Sequence, residues 1–311
     1  PHLVSVVSDL APTNKGYTNI LRASLPSLPD QTAVRVLELA CGRAPLLAAL
    51  FKDHTSERCA DQPCASFGRQ VDYTGADLGC PDALKDESDK WAHRYGQCFP
   101  RIEFVQCDLT NGSHLSTLIE RGPHHVVTLS NALHEIPPPG WPALLASIPD
   151  MLYEGGVFVL IDLIPKARFC RDLWLGDHKV LCDRSWEAGA VWVDLQDAKQ
   201  LVRTSELGIA DHRDKMGYRD EWWYLVAKRP TGPLPPFEDR VTAIRRSLMS
   251  ILEEQASRWD QDFPPELARA RAAVEQADDP GLTIAEGIRY LCLCASQCVR
   301  RASSGEVGGT S

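Results

Sequence analysis

Acids and small residues are spaced along this chain so that a nucleotide-like ligand could be held. In Val34-Arg-Val-Leu-Glu-Leu-Ala-Cys-Gly-Arg-Ala-Pro45 an apolar run closes on an acid, Glu38, and small residues follow at every second position: Ala40, Gly42 and Ala44. Small residues in a tight strand-to-helix turn let backbone donors approach a ligand closely. A second apolar run, Val71 to Leu78, ends at Asp77. An acid closing the second strand of a nucleotide fold accepts hydrogen bonds from ribose hydroxyls. A third run, Ile102 to Cys107, is followed by Asp108 and Leu109. A fourth, His125 to Asn131, runs on into Ala132-Leu-His-Glu-Ile-Pro-Pro138, and a fifth, from Met151, ends at Asp162.

The elements that must position these residues alternate. Strands are expected at 34–40, 71–78, 102–107, 125–130 and up to 162, the last introduced by a turn at Gly155-Gly156. Helices are expected at 14–29, 45–53, 82–97, 140–152 and 194–207, and residues 208–229 read as a closing antiparallel pair. Such alternation implies a mostly parallel sheet with helices on both faces. Ligands in these sheets bind beyond the carboxyl ends of the strands, where all the acids named above fall. Residues 54–70 look irregular and lengthen the interval before Asp77. Thr231-Gly-Pro-Leu-Pro-Pro236 reads as a linker. Beyond it, Val241, Ile244, Leu248, Ile251 and Leu252 form one helical apolar stripe, and Ile284, Ile288, Leu291, Ala295 and Cys298 a second, with Thr283 and Glu286 as a capping box. The expected organisation is thus a domain over 1–230, a helical extension over 231–301 and a disordered tail over 302–311.

Composition narrows the function classes. The 311 residues are 44% hydrophobic, ample for a core. No apolar run reaches the ~18 residues of a membrane span, and none reads as a signal peptide. A net charge of −9 argues against a nucleic-acid backbone as main partner. Several of the 11 cysteines, among them Cys41, Cys107 and Cys292, fall in strand or helix patterns, which suits reduced thiols and a cytoplasmic location. Cys59 and Cys64, and Cys292, Cys294 and Cys298, lack the paired spacing of a zinc site, so no metal is expected.

The five segments, in this order, resemble the class I S-adenosylmethionine (SAM)-dependent methyltransferases over residues 14–229. The resemblance implies a Rossmann-like fold with a seven-stranded sheet, its last strand reversed, and SAM as cofactor. It implies that Glu38 acts through hydrogen bonds near the methionine amino end, and that backbone at Ala40, Gly42 and Ala44 meets the carboxylate. Alanine at 40 and 44, where the family usually has glycine, is tolerated if φ stays negative. Asp77 and Leu78 would meet the ribose end, Asp108 and Leu109 the adenine, and Asn131 would line the methyl-transfer channel. Methyl transfer is an in-line displacement in which the protein aligns the acceptor and removes a proton where one must leave. His134, Glu135, Asp162 and His178 are the available bases. The segment 163–193, with Trp174, Trp186 and Trp192, would cap the acceptor or bury itself on the core.

The expected acceptor is an O, N or S nucleophile of a small molecule, with a protein or peptide next. The C-terminal helices could pack on the core or pair two subunits as a homodimer. Neither a nucleic-acid nor a membrane partner is expected. Two rivals stand. A nicotinamide dehydrogenase would need three glycines in the first loop, which has one. A SAM-binding scaffold without activity is consistent with the altered loop and the long 54–70 interval. No P-loop, Asn-Pro-Pro-Tyr run or Pro-Cys nucleophile is present.

Overall fold

The computed structural model describes residues 33–54 except 43, 70–79, 99–163 except 137, 193–216 and 222–258, together with Ile20, Asp89 and His93. The expected helices at 14–29 and 82–97, the second apolar stripe, the tail and the insertion carrying His178 lie outside these residues.

The strands are β1 (Val34–Leu39), β2 (Val71–Asp77), β3 (Arg101–Gln106), β4 (His124–Ser130), β5 (Leu152–Leu163), β6 (Gly208–Met216) and β7 (Trp222–Lys228). The helices are α1 (Pro45–His54), α2 (Gly112–Glu120), α3 (Trp141–Met151), α4 (Leu195–Thr204) and α5 (Phe237–Arg258). All seven strands form one sheet in the order β3-β2-β1-β4-β5-β7-β6. β1 pairs in parallel with β2 and β4, β2 with β3, and β4 with β5. β7 alone runs against its neighbours β5 and β6.

Side chains alternate across the pleat. Val34, Val36 and Glu38 of β1 face one side, where α1 packs Leu46, Leu47 and Leu50 onto them together with Tyr73, Val126 and Val159. Leu37 and Leu39 face the other side, where α2, α3, α4 and α5 cover Val127, Leu129, Phe158 and Leu225. Strands buried on both faces must be apolar nearly throughout, which is why the central runs read so clearly in the sequence. Asn111 caps α2 by accepting from Ser113 N, and Asp194 caps α4 by accepting from Gln196 N and Asp197 N.

The C-terminal extension begins inside this core. Val241, Ile244, Leu248 and Ile251 of α5 are buried against α3 and α4 of the same chain. Arg240, at the start of α5, is buried and ion-paired with Asp150 at the end of α3.

Gly155-Gly156 is not the expected turn ahead of a strand: β5 runs through both. Between the pairs His124–Leu152 and Val126–Val157 the register slips, so the extra residues of β5 bulge out beside β4. Gly155 takes φ +73°, and a Cβ on Gly156 would stand 2.8 Å from Tyr153 O and 3.1 Å from His124 O. Those are backbone atoms of paired strands and cannot move aside. Gly156→Ala is therefore expected to lower stability by about 3 kcal/mol, the upper end of overpacking penalties. Gly112→Ala, where nothing lies within 4 Å, should change it far less. Urea unfolding of both variants checks the contrast.

Among the described residues no helix is long and apolar enough to cross a membrane.

Candidate functional site

Four strands, β2, β1, β4 and β5, deliver their last residues side by side at one end of the sheet. The bend after β1 lies at the centre of this crest. Its small residues are left-handed at each second position: Ala40 at φ 50°, Gly42 at 48° and Ala44 at 52°. Alanine was expected at negative φ, and the structure corrects that. The bend needs the left-handed conformation at all three positions, and two alanines adopt it at a strain of roughly 1–2 kcal/mol each. Nothing among the described residues lies within 4 Å of a Cβ built on Gly42. Among the described residues the outer side of the bend is open.

Asp77 closes β2 and reaches across to this bend. Its Oδ2 accepts from Gly42 N at 2.8 Å and its Oδ1 from Gly79 N at 2.9 Å. Each carboxylate oxygen can accept twice, so acceptor capacity remains for a ligand's hydroxyls. Leu78 follows with its side chain 67% exposed, a large apolar surface held in water beside the bend. At the end of β3, Asp108 Oδ1 accepts from Thr110 N and Thr110 Oγ1, and Asp108 N donates to His114 Nδ1. Asp108 thus shapes the turn into α2, while Leu109 turns inward and packs in the core.

Beyond β4 the chain bends sharply at Asn131, left-handed at φ 53°, whose N–H donates to Ile161 O at 2.7 Å. Asn131 Oδ1 is buried and has no hydrogen-bond partner among the described residues. A buried acceptor of this kind is satisfied by a water or a ligand donor when one is within reach. Residues Leu133–Glu135 then form a short 3₁₀ turn, tied to α3 by Trp141 Nε1 donating to Ile136 O at 2.7 Å. Within this turn His134 is buried against Asp162 of β5. His134 Nδ1 lies 2.5 Å from Asp162 Oδ1, and His134 N donates to Asp162 Oδ2 at 3.2 Å. Both carboxylate oxygens therefore grip one residue, by its ring and by its backbone. Glu135 closes the same turn.

Glu38 is placed differently from a residue that hydrogen-bonds a ligand. Only 1% exposed, it accepts from Leu46 N through Oε1 at 3.2 Å and from the Tyr73 hydroxyl through Oε2. It thereby braces the start of α1 from beneath the bend. Burial, aided by the charge of Asp77, pushes its carboxyl up to about 8 against the donors Tyr73 and Leu46 N. Cys41 is driven upward by burial and then by Glu38 and Asp77, and Cys107 is raised to about 11, chiefly by burial. Both thiols are buried and carry their protons at neutral pH, so neither is a nucleophile.

Of the residues singled out from the sequence, Ala40, Gly42, Asp77, Leu78, Asp108 and Asn131 meet at the crest. Leu109 and Glu38 lie beneath it, and His134 stands beside it with Asp162. His178 and the three tryptophans of the insertion lie outside the described residues. Two pairings escaped sequence reasoning: Tyr73 with Glu38, and Asp162 with His134. Both follow once the strand order is known. Residues 73 and 38 share a sheet face on neighbouring strands, and 134 and 162 follow or end neighbouring strands.

The strand order and the reversed seventh strand define the class I, Rossmann-like methyltransferase fold. No protein-family model matches the sequence, and no curated protein does. Solved structures with similar shape include an O-methyltransferase family protein from Burkholderia thailandensis, at 17% identity and TM-score 0.45 over 71% of this chain and 57% of that one. The CurJ carbon methyltransferase is similar at 15% identity and TM-score 0.49 over 73% of this chain and 58% of that one. Magnesium protoporphyrin IX methyltransferase from Synechocystis follows at 17% and 0.44, over 70% and 81%. The chain thus spans somewhat over half the length of the first of these. At such identities the likeness concerns shape alone, and the fold assignment here rests on the strand order.

Proposed function

We propose that this protein is a SAM-dependent methyltransferase acting on an O, N or S nucleophile of a small molecule. The observation that carries the reading is the open bend at Gly42 with Asp77 reaching across to it at 2.8 Å. A carboxylate with spare lone pairs beside exposed backbone is what a ribose requires. The residues present fit a sulfonium nucleoside. Asp77 would accept from the ribose hydroxyls, Leu78 would lie along the adenine, and Asp108 would accept from its amino group. The backbone at Ala40, Gly42 and Ala44 would meet the methionine carboxylate. The buried Asn131 Oδ1, without a partner among the described residues, would be available to an N–H donor of the ligand. When bound, SAM supplies an activated methyl group for in-line transfer.

The chain's part in the chemistry is alignment and proton removal. Asp162 holds His134 through Nδ1, and in this reading the ring acts through Nε2. In this reading His134 takes the proton from an acceptor hydroxyl or amine as the methyl group arrives.

The test begins with calorimetry using SAM and S-adenosylhomocysteine (SAH), followed by labelled-methyl transfer into fractionated extract and mass identification of the product. Binding of neither ligand would refute the reading. Binding without any methylated product would favour a sensor or scaffold, and a labelled polypeptide would move the acceptor class to protein. Asp77→Ala is expected to weaken SAM binding by on the order of 1–3 kcal/mol, about 5- to 150-fold in Kd. The loss includes the slackened bend, since Gly42 N and Gly79 N lose their acceptor.

A further inference from the structure

Glu38 is a buried acid with no cation among the described residues to answer it. In register it stands between Gly75 on β2 and Thr128 on β4, both neutral. Among its described side chains and backbone, α1 offers it the backbone donors at Leu46 and Leu47. β2 adds the Tyr73 hydroxyl and the negative Asp77, and the bend adds the protonated Cys41. No Lys, Arg or His among the described residues forms an ion pair with it. A carboxylate in such a place strongly favours its proton, because desolvation is not offset by an opposite charge. Four residues on, no described residue lies within 4 Å of a Cβ built on Gly42, so the bend is open there.

We propose that Glu38 makes the crest selective for positive charge: a cationic ligand seated over the Ala40–Ala44 bend draws the proton from Glu38 into solvent and supplies the counter-charge this acid lacks. The proposal rests on the methyltransferase reading for the identity of that ligand. SAM and SAH share the ammonium, carboxylate, ribose and adenine, and differ by the methyl group and the sulfonium charge. Glu38 therefore ionises more fully with SAM than with SAH. The substrate form of the cofactor is held in preference to the product by a residue that touches neither. The step is balanced: the carboxyl O–H breaks, its electron pair stays on the oxygen, and the proton goes to buffer. Tyr73 is the positioning partner, since its hydroxyl stabilises the ionised carboxylate.

The test is calorimetric titration of the full chain with SAM and with SAH, in phosphate and in Tris at pH 7. The difference in apparent heat between these buffers counts the protons released. Wild type should release more protons with SAM than with SAH, and SAM affinity should rise by up to tenfold per pH unit, a limit of about one proton, between pH 6.5 and 8. In Glu38→Gln the proton counts for the two ligands should coincide and the pH dependence of their affinity ratio should vanish. Tyr73→Phe, which removes one donor and keeps the acid, should move the midpoint of the affinity profile to higher pH. This second variant keeps the test open should Glu38→Gln fail to fold. Equal proton counts for SAM in wild type and Glu38→Gln, or an unmoved midpoint in Tyr73→Phe, would overturn the proposal and leave the methyltransferase reading intact. Binding of neither ligand to wild type would overturn both.

Discussion

Replacing His134 by alanine is expected to lower the rate constant for methyl transfer by about 10²- to 10⁴-fold, the usual worth of a positioned general base, with SAM affinity nearly unchanged. The expectation comes from how the ring is held. Asp162 is 1% exposed and meets both the ring and the backbone of His134, which holds Nδ1 toward the carboxylate. Asp162→Asn tests the same arrangement while keeping the shape. The amide N–H would donate to Nδ1, force the ring proton onto Nε2, and leave no base facing the acceptor. A comparable fall in turnover is expected, with little change in KM for SAM. Single-turnover kinetics at saturating SAM separate the chemical step from binding. A merely structural pair would instead lose thermal stability and turnover together, and would do so for every acceptor. A base is needed only where the acceptor carries a proton, so a thiolate or carboxylate acceptor should escape the loss. Equal turnover in wild type and His134→Ala with a hydroxyl acceptor would remove His134 from the mechanism.

What the sequence showed and what it hid follow from the range of the interactions. β1, β4 and β5 were visible because a strand buried on both faces must be apolar nearly throughout, and that is a local property. The stripe Val241, Ile244, Leu248 and Ile251 was visible for the same reason, but its packing against α3 and α4 was not, since a stripe does not name its partner. Gly155-Gly156 misled because paired glycines usually mark a turn. Here they serve a bulge whose existence depends on the register against β4, nearly thirty residues away in sequence. Ala40 and Ala44 misled because alanine rarely accepts a positive φ, and only the closed geometry of the bend imposes it. The two pairs that matter most chemically, Tyr73 with Glu38 and His134 with Asp162, are set by the strand order β2-β1-β4-β5. No spacing rule along the chain brings such residues together.

The second large effect expected of this protein lies in how its stability depends on pH. The Glu38 carboxyl sits at about 8 in the folded chain against 4.5 for the free side chain, with burial the leading cause. Between those values the folded state binds a proton that the unfolded state has released. The contribution is therefore fully present below about pH 4.5 and is lost as pH rises through about 8. The slope cannot exceed about 1.4 kcal/mol per pH unit, and over the whole interval it accumulates to several kcal/mol. Glu38→Gln removes the titration and keeps the shape, with the amide oxygen still able to accept from Leu46 N and the amide N–H able to meet Tyr73. Wild type and variant should thus unfold at similar urea concentrations near pH 5 and diverge steadily above it, the variant being the more stable by pH 8. Subtracting one profile from the other cancels the common background of the remaining carboxylates and histidines. Parallel profiles from pH 5 to 8 would mean that Glu38 is ionised and solvated in the native state, which would remove the physical basis for its response to a cation. Divergence in the absence of any ligand, together with its suppression at saturating SAM, would place the missing counter-charge of this buried acid in the ligand.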